Sequence, residues 1–278
     1  MRKVLLFVSV LISTVSYAWN RSFAFGGKSK AMGDVSVALV DFWSCNNNQG
    51  ALGFYNKSGI GIHYDNRYLL TSTSTMLLSG VYSADKVGSF ALNAQFYGDH
   101  NFGKIQIGAA YARTFANVFG VALQFDYLYN YFGNDYYGHK SGFTFEVGFL
   151  GQITPNFSLG LHLYNPARLK MVTYNDTKEY IPTLIRFGGA YIFDKRCTLA
   201  LEVEKDLDMP LSFGGGVEYV FSKYFSLRGG VRYPKFSCSL GVGFRFKQCS
   251  MDIASSYHAD LGFSPQLSLL YEFNSSGK

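Results

Sequence analysis

From about Gly59 onward, apolar residues alternate with small or polar ones in long runs. Phe236, Cys238, Leu240, Val242, Phe244 and Phe246 fall in one phase, and Ser237, Ser239, Gly241, Gly243 and Arg245 in the other. In the same way Phe157, Leu159, Leu161 and Leu163 oppose Ser158, Gly160 and His162, and Val121, Leu123, Phe125, Tyr127 and Tyr129 oppose Ala122, Gln124, Asp126 and Leu128. A period of two describes strands with one apolar and one polar face. The pattern predicts fourteen of them, near 60–68, 75–84, 87–97, 104–114, 117–129, 142–152, 157–165, 182–193, 197–205, 211–221, 225–233, 236–246, 249–257 and 263–273.

Such strands fit a soluble sandwich, with the apolar face on a shared core, or a membrane barrel, with that face on lipid and the polar face lining a lumen. The links separate the two. Asp85-Lys86, Phe115-Ala116, Ile153 to Asn156, Asp194 to Arg196, Ser222 to Tyr224 and Lys247-Gln248 are tight, and most of the links between them are longer. Fourteen antiparallel strands with both ends on one side need six turns there and seven loops opposite. Short periplasmic turns and longer external loops belong to outer-membrane barrels, whereas a sandwich has no reason to alternate in this way. Most segments have the roughly nine to eleven residues that cross a bilayer at a tilt, and closure leaves no unpaired edge in lipid. The expected fold is therefore all-β, an antiparallel transmembrane barrel of about fourteen strands spanning residues 59–273.

Composition agrees. Of 278 residues, 48% are hydrophobic and 18% aromatic but only 16% charged, a balance that soluble enzymes of this length seldom show. Tyr127, Tyr129, Tyr131, Tyr136, Tyr137, Tyr271 and Phe273 stand near strand ends, where interfacial aromatic girdles belong. Gly214-Gly215-Gly216, Gly188-Gly189 and Gly229-Gly230 lie within strands, which requires a sharp bend of the sheet or something packed against its backbone.

The beginning of the chain reads differently. Met1, Arg2 and Lys3 form a positive head, Val4 to Val15 a mostly apolar run too short to span, and Ser16-Tyr17-Ala18 a small-residue cleavage site. Residues 1–18 are read as a secretory signal cleaved after Ala18, which sends the chain to the bacterial outer membrane. The net charge falls from +6 to +4 without them, short of a nucleic-acid footprint. Residues 19–58 lack the strand pattern, with a short helix expected over Ser29 to Val40 and a polar run Asn46-Asn47-Asn48-Gln49-Gly50. A fourteen-strand barrel is wider than side chains alone can fill, so this segment is expected to plug the lumen, with a periplasmic lid as the alternative.

Charged residues in the lumen phase include Asp126, Glu146, Arg186, Glu202, Glu204, Glu218, Arg228, Arg232, Arg245 and Glu272. Two roles are open to them: a constriction that sets which solutes pass, or mutual pairs that hold wall and plug together. Cys45, Cys197, Cys238 and Cys249 allow up to two disulfides or four free thiols, Cys238 falling in the lipid-facing phase. No two are spaced as zinc ligands, and no cofactor is expected. A barrel hydrolase needs an outward His and Ser held together with an orienting partner, and the G-x-S-x-G elbow is absent, so no enzyme is expected. The longest loop, Pro166 to Ile181, mixes Arg168, Lys170, Asp176, Lys178 and Glu179 with Met171, Val172 and Tyr174, and reads either as a binding loop or as a solvated one.

The stretch Gly26-Gly27-Lys28-Ser29-Lys30-Ala31-Met32-Gly33-Asp34-Val35-Ser36-Val37-Ala38-Leu39, followed by Asn48-Gln49-Gly50-Ala51-Leu52, resembles the N-terminus of FadL-type and PorV/PorQ-type outer membrane proteins. Those begin with a small-residue segment containing Met-Gly and a short Ala/Val run, then an Asn-Pro-Ala-Gly-Leu-like element before the first strand. Ile181-Pro182-Thr183-Leu184-Ile185-Arg186-Phe187-Gly188, Gly216-Val217-Glu218-Tyr219, Leu227-Arg228-Gly229-Gly230, Gly241-Val242-Gly243-Phe244 and Ser268 to Phe273 resemble that family's C-terminal half. Gln49 stands where the family usually has Pro, and Asn274 to Lys278 follow the terminal aromatic Phe273 as a short tail. The resemblance implies a fourteen-stranded barrel with an N-terminal hatch, insertion by the barrel-insertion machinery, and one of two functions. One is transport of small hydrophobic molecules across the outer membrane. The other is a PorV-like accessory role in type IX secretion, binding exported proteins through external loops.

Overall fold

The computed structural model describes residues 24–134, 138–173, 178–234 and 236–273. The expected signal sequence, residues 19–23 of the expected plug, Tyr136, Tyr137, the residues after Phe273 and residues 174–177 of the longest loop lie outside the described residues. Sixteen strands run in chain order, β1 (Gly59–Asn66), β2 (Ser74–Ala84), β3 (Gly88–Gly98), β4 (Phe102–Phe115), β5 (Phe119–Phe132), β6 (His139–Thr154), β7 (Phe157–Tyr164), β8 (Lys170–Thr173), β9 (Lys178–Tyr180), β10 (Leu184–Phe193), β11 (Cys197–Asp206), β12 (Ser212–Ser222), β13 (Phe225–Tyr233), β14 (Ser237–Phe246), β15 (Cys249–His258) and β16 (Gly262–Glu272). Fourteen of them, all but β8 and β9, form one closed antiparallel ring, each paired with its neighbours in sequence. The ring closes between β1 and β16, with Gly59 opposite Glu272 and Asp65 opposite Gln266. Each strand of the ring is thus paired on both sides, as the lipid interior demands.

The wall's two faces follow the two sequence phases. Leu240 is 69% exposed and Phe143 70%, as are most of the large apolar residues of their phase, and they form the lipid-facing surface. The opposite phase turns inward: Gln124, Asp126, Glu146, His162, Ser239, Gln266 and Ser268 are all buried. No helix among the described residues is long and apolar enough to cross a membrane, which bears only on helical spans.

The six expected tight turns are present, two or three residues each, at one end of the ring. Lys86, Ala116, Asn117, Asp194, Lys195 and Lys247 take positive φ there, the geometry that lets a short turn follow the strand twist. Opposite them, the β1–β2, β5–β6 and β7–β10 links are longer, while those after β3, β13 and β15 have only three residues. The longest link is not a simple loop: β8 and β9 pair as a hairpin, and β8 also pairs with the outer end of β6. Its strands are too short for any periodic signal.

Residues 24–55 run inside the ring, and 56–58 lead from its mouth into β1. Three short helices, α1 (Gly27–Ala31), α2 (Ser44–Asn47) and α3 (Gln49–Leu52), are joined by irregular backbone. The helix expected over Ser29 to Val40 stops at Ala31, because Gly33 and Asp34 take φ of 74° and 61° and turn the chain. The glycines within strands are explained by close packing. A Cβ on Gly160 would lie 2.1 Å from the Val37 carbonyl oxygen, and one on Gly216 would lie 2.3 Å from that of Met32. Only a residue without a side chain lets the inner segment approach the wall so closely.

Candidate functional site

The inner segment and the lumen wall make up the candidate site, and the wall holds the segment in two ways. On one side the contact is apolar. Phe25, Phe42, Trp43, Leu52 and Tyr55 of the segment pack with Leu77 and Val81 of β2, Ala91 of β3, Ala110 and Ala112 of β4 and Ala122 of β5. Phe42 meets Trp43 edge-on at 5.1 Å, and the buried His63 ring lies edge-on to both Phe25 and Trp43. Cys45 sits in the same cluster, and burial pushes its thiol up to about 12.

On the other side Met32, Val35, Val37 and Leu39 pack with Ala190 of β10 and Ala200 of β11, and ionic contacts are added to this packing. Arg186 of β10 donates from Nε to Glu202 Oε1 at 2.8 Å, from Nη1 to the Asn47 carbonyl at 2.9 Å, and from Nη2 to Ser36 Oγ. Glu202 Oε2 accepts the backbone N–H groups of Ser36 and Val37 at 2.7 and 2.8 Å. This buried pair from two neighbouring strands therefore grips the segment at two places. Arg228 of β13 donates to Glu218 at 2.7 Å and to Asp252 at 2.5 Å, while Lys28 of the segment reaches Glu218 at 2.7 Å. Arg232 pairs with Glu204 at 2.9 Å, and Lys30 of the segment bridges Asp34 and Asp65 at 3.1 and 3.3 Å. Charges in such places are tolerable because each meets an opposite one.

Between these contacts runs a network of amides around the Glu146 carboxylate. Gln49 Nε2 donates to Gln124 Oε1 at 3.0 Å and to Glu146 Oε2 at 2.8 Å, and the same Glu146 oxygen lies 2.9 Å from His162 Nε2. Asn47 exchanges two hydrogen bonds with the Phe25 backbone at 2.7 and 2.9 Å, and Asn48 donates to the carbonyls of Val37 and Phe149 at 2.6 and 3.0 Å. The polar run at 46–50 thus ties the segment to itself and to the wall.

The sequence-expected lumen charges fall into two sets. Glu146, Arg186, Glu202, Glu218, Arg228 and Arg232 converge on the inner segment or on one another. Arg245 and Glu272 keep the inner phase but stand at the tight-turn mouth: Arg245 is exposed, and Glu272 accepts from Tyr55 Oη at 2.6 Å and Lys57 Nζ at 2.8 Å. Lys28, Lys30, Asp65 and Asp252 were not singled out from the sequence. Asp65 and Asp252 share the inward phase of their strands, which could have marked them; the two lysines carried no such signal.

The four cysteines are free, with Cys238 exposed on the lipid side. Among the described residues, no group of His, Cys, Asp and Glu is placed to hold a metal ion. One His-x-Ser triplet, His139-Lys140-Ser141, opens β6; the His139 ring packs against Tyr129 at 5.6 Å and has no hydrogen bond to Ser141. The lumen opens into a polar cavity on either side of the segment. The one at the tight-turn mouth is about 920 Å³ and includes Lys86, Arg113 and Gln152 in its lining; the outer one is about 290 Å³, between Arg67, Glu204 and His258. At the outer mouth Met171 and Ile181 of the longest loop are buried with Leu128, Tyr164 and Leu184. Met171, on a loop that reads from sequence either as a binding loop or as a solvated one, is part of the packed interior.

This architecture, a fourteen-strand ring enclosing an N-terminal segment, defines a class of outer-membrane barrel. The chain matches the CymD monoaromatic hydrocarbon channel with a TM-score of 0.68 at 12% identity, covering 91% of this chain and 97% of that one. It matches the P. putida toluene transporter TodX at 0.66 and 12% identity, covering 93% and 100%, and a Pseudomonas aeruginosa FadL homologue at 0.58 and 13%, covering 90% and 96%. No protein-family model matches the chain, and no curated protein matches it in sequence. The fold is the FadL-type barrel that the sequence resemblance implied.

Proposed function

We propose that the chain is a FadL-type outer-membrane transporter that passes small hydrophobic molecules, with residues 24–58 as the plug of its lumen. The observation that carries the reading is the segment itself. It crosses the lumen and is gripped from both walls, in a barrel whose whole length matches channels and transporters of hydrocarbons. The charges Glu146, Arg186, Glu202, Glu218, Arg228 and Arg232 act here as clamps on the plug, and Arg245 and Glu272 as rim charges at the mouth. The signal sequence 1–18 is removed after Ala18, the plug and barrel are the two parts of the mature chain, and residues after Phe273 are a short tail. The accessory reading needs apolar side chains displayed on external loops. Leu69, Leu70, Leu169, Tyr180, Leu207, Leu211 and Leu261 are exposed there, while Met171 and Ile181 of the longest loop are buried, so the loops serve either reading and transport is preferred on the enclosed segment and the likeness of the whole barrel.

Two assays on the purified barrel in liposomes test this. A small aromatic hydrocarbon should equilibrate faster across vesicles carrying the protein, and arabinose should stay excluded until the segment is removed. Arabinose influx at porin-like rates through the intact protein would refute the plug, and no acceleration for any apolar solute would refute the transporter.

A further inference from the structure

The lipid-facing side of the barrel is not uniform. At the tight-turn end a groove of about 780 Å³ crosses β14, β15, β16 and β1, lined by Ile62, Phe244, Phe246, Met251, Leu269 and Tyr271 among others; Arg245 is the one charged residue in its lining, and no Asp or Glu lines it. Tyr224, on the tight turn before β13, closes one end. Two lysines stand over this rim. Lys223 Nζ lies 4.9 Å from the centroid of the Tyr224 ring, and Lys247 Nζ lies 5.6 Å from that of Phe246. Cation–π attraction holds both ammonium groups beside rings that line the groove, with their stems along apolar surface.

The neighbouring turns show why these two matter. Lys86 follows Asp85 and Lys195 follows Asp194, so each of those turns carries its own counter-charge. The turns bearing Lys223 and Lys247 carry no acid. A second hollow in the lipid-facing wall, about 510 Å³ between Met76, Phe96, Ile105 and Leu267, has no Lys, Arg, Asp or Glu in its lining. Of these two, the first groove is the one whose lining rings carry ammonium groups.

We propose that this groove is a binding site for one anionic phospholipid of the periplasmic leaflet. An acyl chain lies in the groove, and Lys223 and Lys247 take the phosphate. Short turns face the periplasm in barrels of this kind, which puts the two ammonium groups at the depth of that leaflet's headgroups. Lysines near an anionic lipid surface contribute about 1 kcal/mol each, so the pair accounts for a preference of about thirtyfold.

Native mass spectrometry of the mature protein in a mild non-ionic detergent tests the site, with phosphatidylglycerol or phosphatidylcholine of identical chains added. One phosphatidylglycerol should be retained well ahead of phosphatidylcholine. Lys223→Ala with Lys247→Ala should lower its retention by about thirtyfold, to the level of the zwitterionic lipid. Met251→Trp, which fills the groove and leaves both lysines, should lower retention of both lipids, and heat-modifiable gel mobility shows that each variant is folded. Equal retention of the two lipids by the unchanged protein would overturn the proposal. So would full retention of phosphatidylglycerol by the double variant, or the same loss from Lys86→Ala with Lys195→Ala, which would reduce the effect to general rim charge.

Discussion

The wall formed by β2 to β5 and the wall formed by β10 to β15 hold the same inner segment by different means: both bury apolar side chains of the segment, and the second adds buried ion pairs. The first offers Leu77, Val81 and a row of alanines to Phe42, Trp43 and Leu52, and contributes through water excluded from apolar surface. The second offers Arg186, Glu202, Glu218 and Arg228, which contribute through directed hydrogen bonds between charges. Apolar packing is indifferent to salt and tolerates small shifts; an ion pair fixes one geometry and, once broken, leaves a costly remnant. The segment is therefore cushioned on one side and latched on the other. Release should begin on the latched side.

The largest effect is expected at the latch. Arg186→Ala strands Glu202, whose side chain is fully buried, and removes the donor to Asn47 and Ser36. A loss of about 3–5 kcal/mol follows from leaving a buried charge unpaired, read as a lower unfolding midpoint in urea, with open bursts in planar-bilayer recordings. On the cushioned side Phe42→Ala removes a buried ring and should destabilise by about 3 kcal/mol, independent of ionic strength between low and high salt. If Arg186→Ala proved milder than Phe42→Ala, the latch and the cushion would have to be exchanged.

A third substitution probes closeness rather than chemistry. Gly160→Ala would put a methyl 2.1 Å from the Val37 carbonyl oxygen, so the segment or the strand must give way. Overpacking of this kind costs about 1–3 kcal/mol. Cys45 reports the displacement: with its thiol pushed up to about 12 by burial, it should stay unlabelled by a water-soluble maleimide in the unchanged barrel. Labelling should appear in Gly160→Ala and be faster still in Arg186→Ala.

The same contrast shows what the sequence makes legible. The wall repeats one rule every two residues, lipid outside and lumen inside, so β10 to β16 begin and end within two residues of where the alternation puts them. The inner segment obeys no period. Helices of four or five residues have no amphipathic face to read, and the chain turns at Gly33 and Asp34 where a helix was expected to continue. Asn47, Asn48 and Gln49 look like a polar loop in sequence, yet each is buried with its side chain bonded to partners 11 to 101 residues away, which no local pattern announces. Strand phase placed the inward charges, but phase says nothing of depth, so Arg245 and Glu272 could not be told from Arg186 and Glu202 until the register was known.

Depth also sets the smallest of the expected effects. Lys57 pairs with Glu272 at 2.8 Å, a distance as short as that of Arg186 to Glu202, but the Lys57 side chain is 53% exposed. Water and salt screen such a pair, and the Glu272 carboxylate keeps its 2.6 Å hydrogen bond from Tyr55 when the lysine is removed. Lys57→Ala should therefore cost less than about 1 kcal/mol in urea unfolding. It should also leave Cys45 unlabelled, because the latch at Arg186 is untouched. A cost near that of Arg186→Ala would mean that the mouth, rather than the lumen, is where the segment is held.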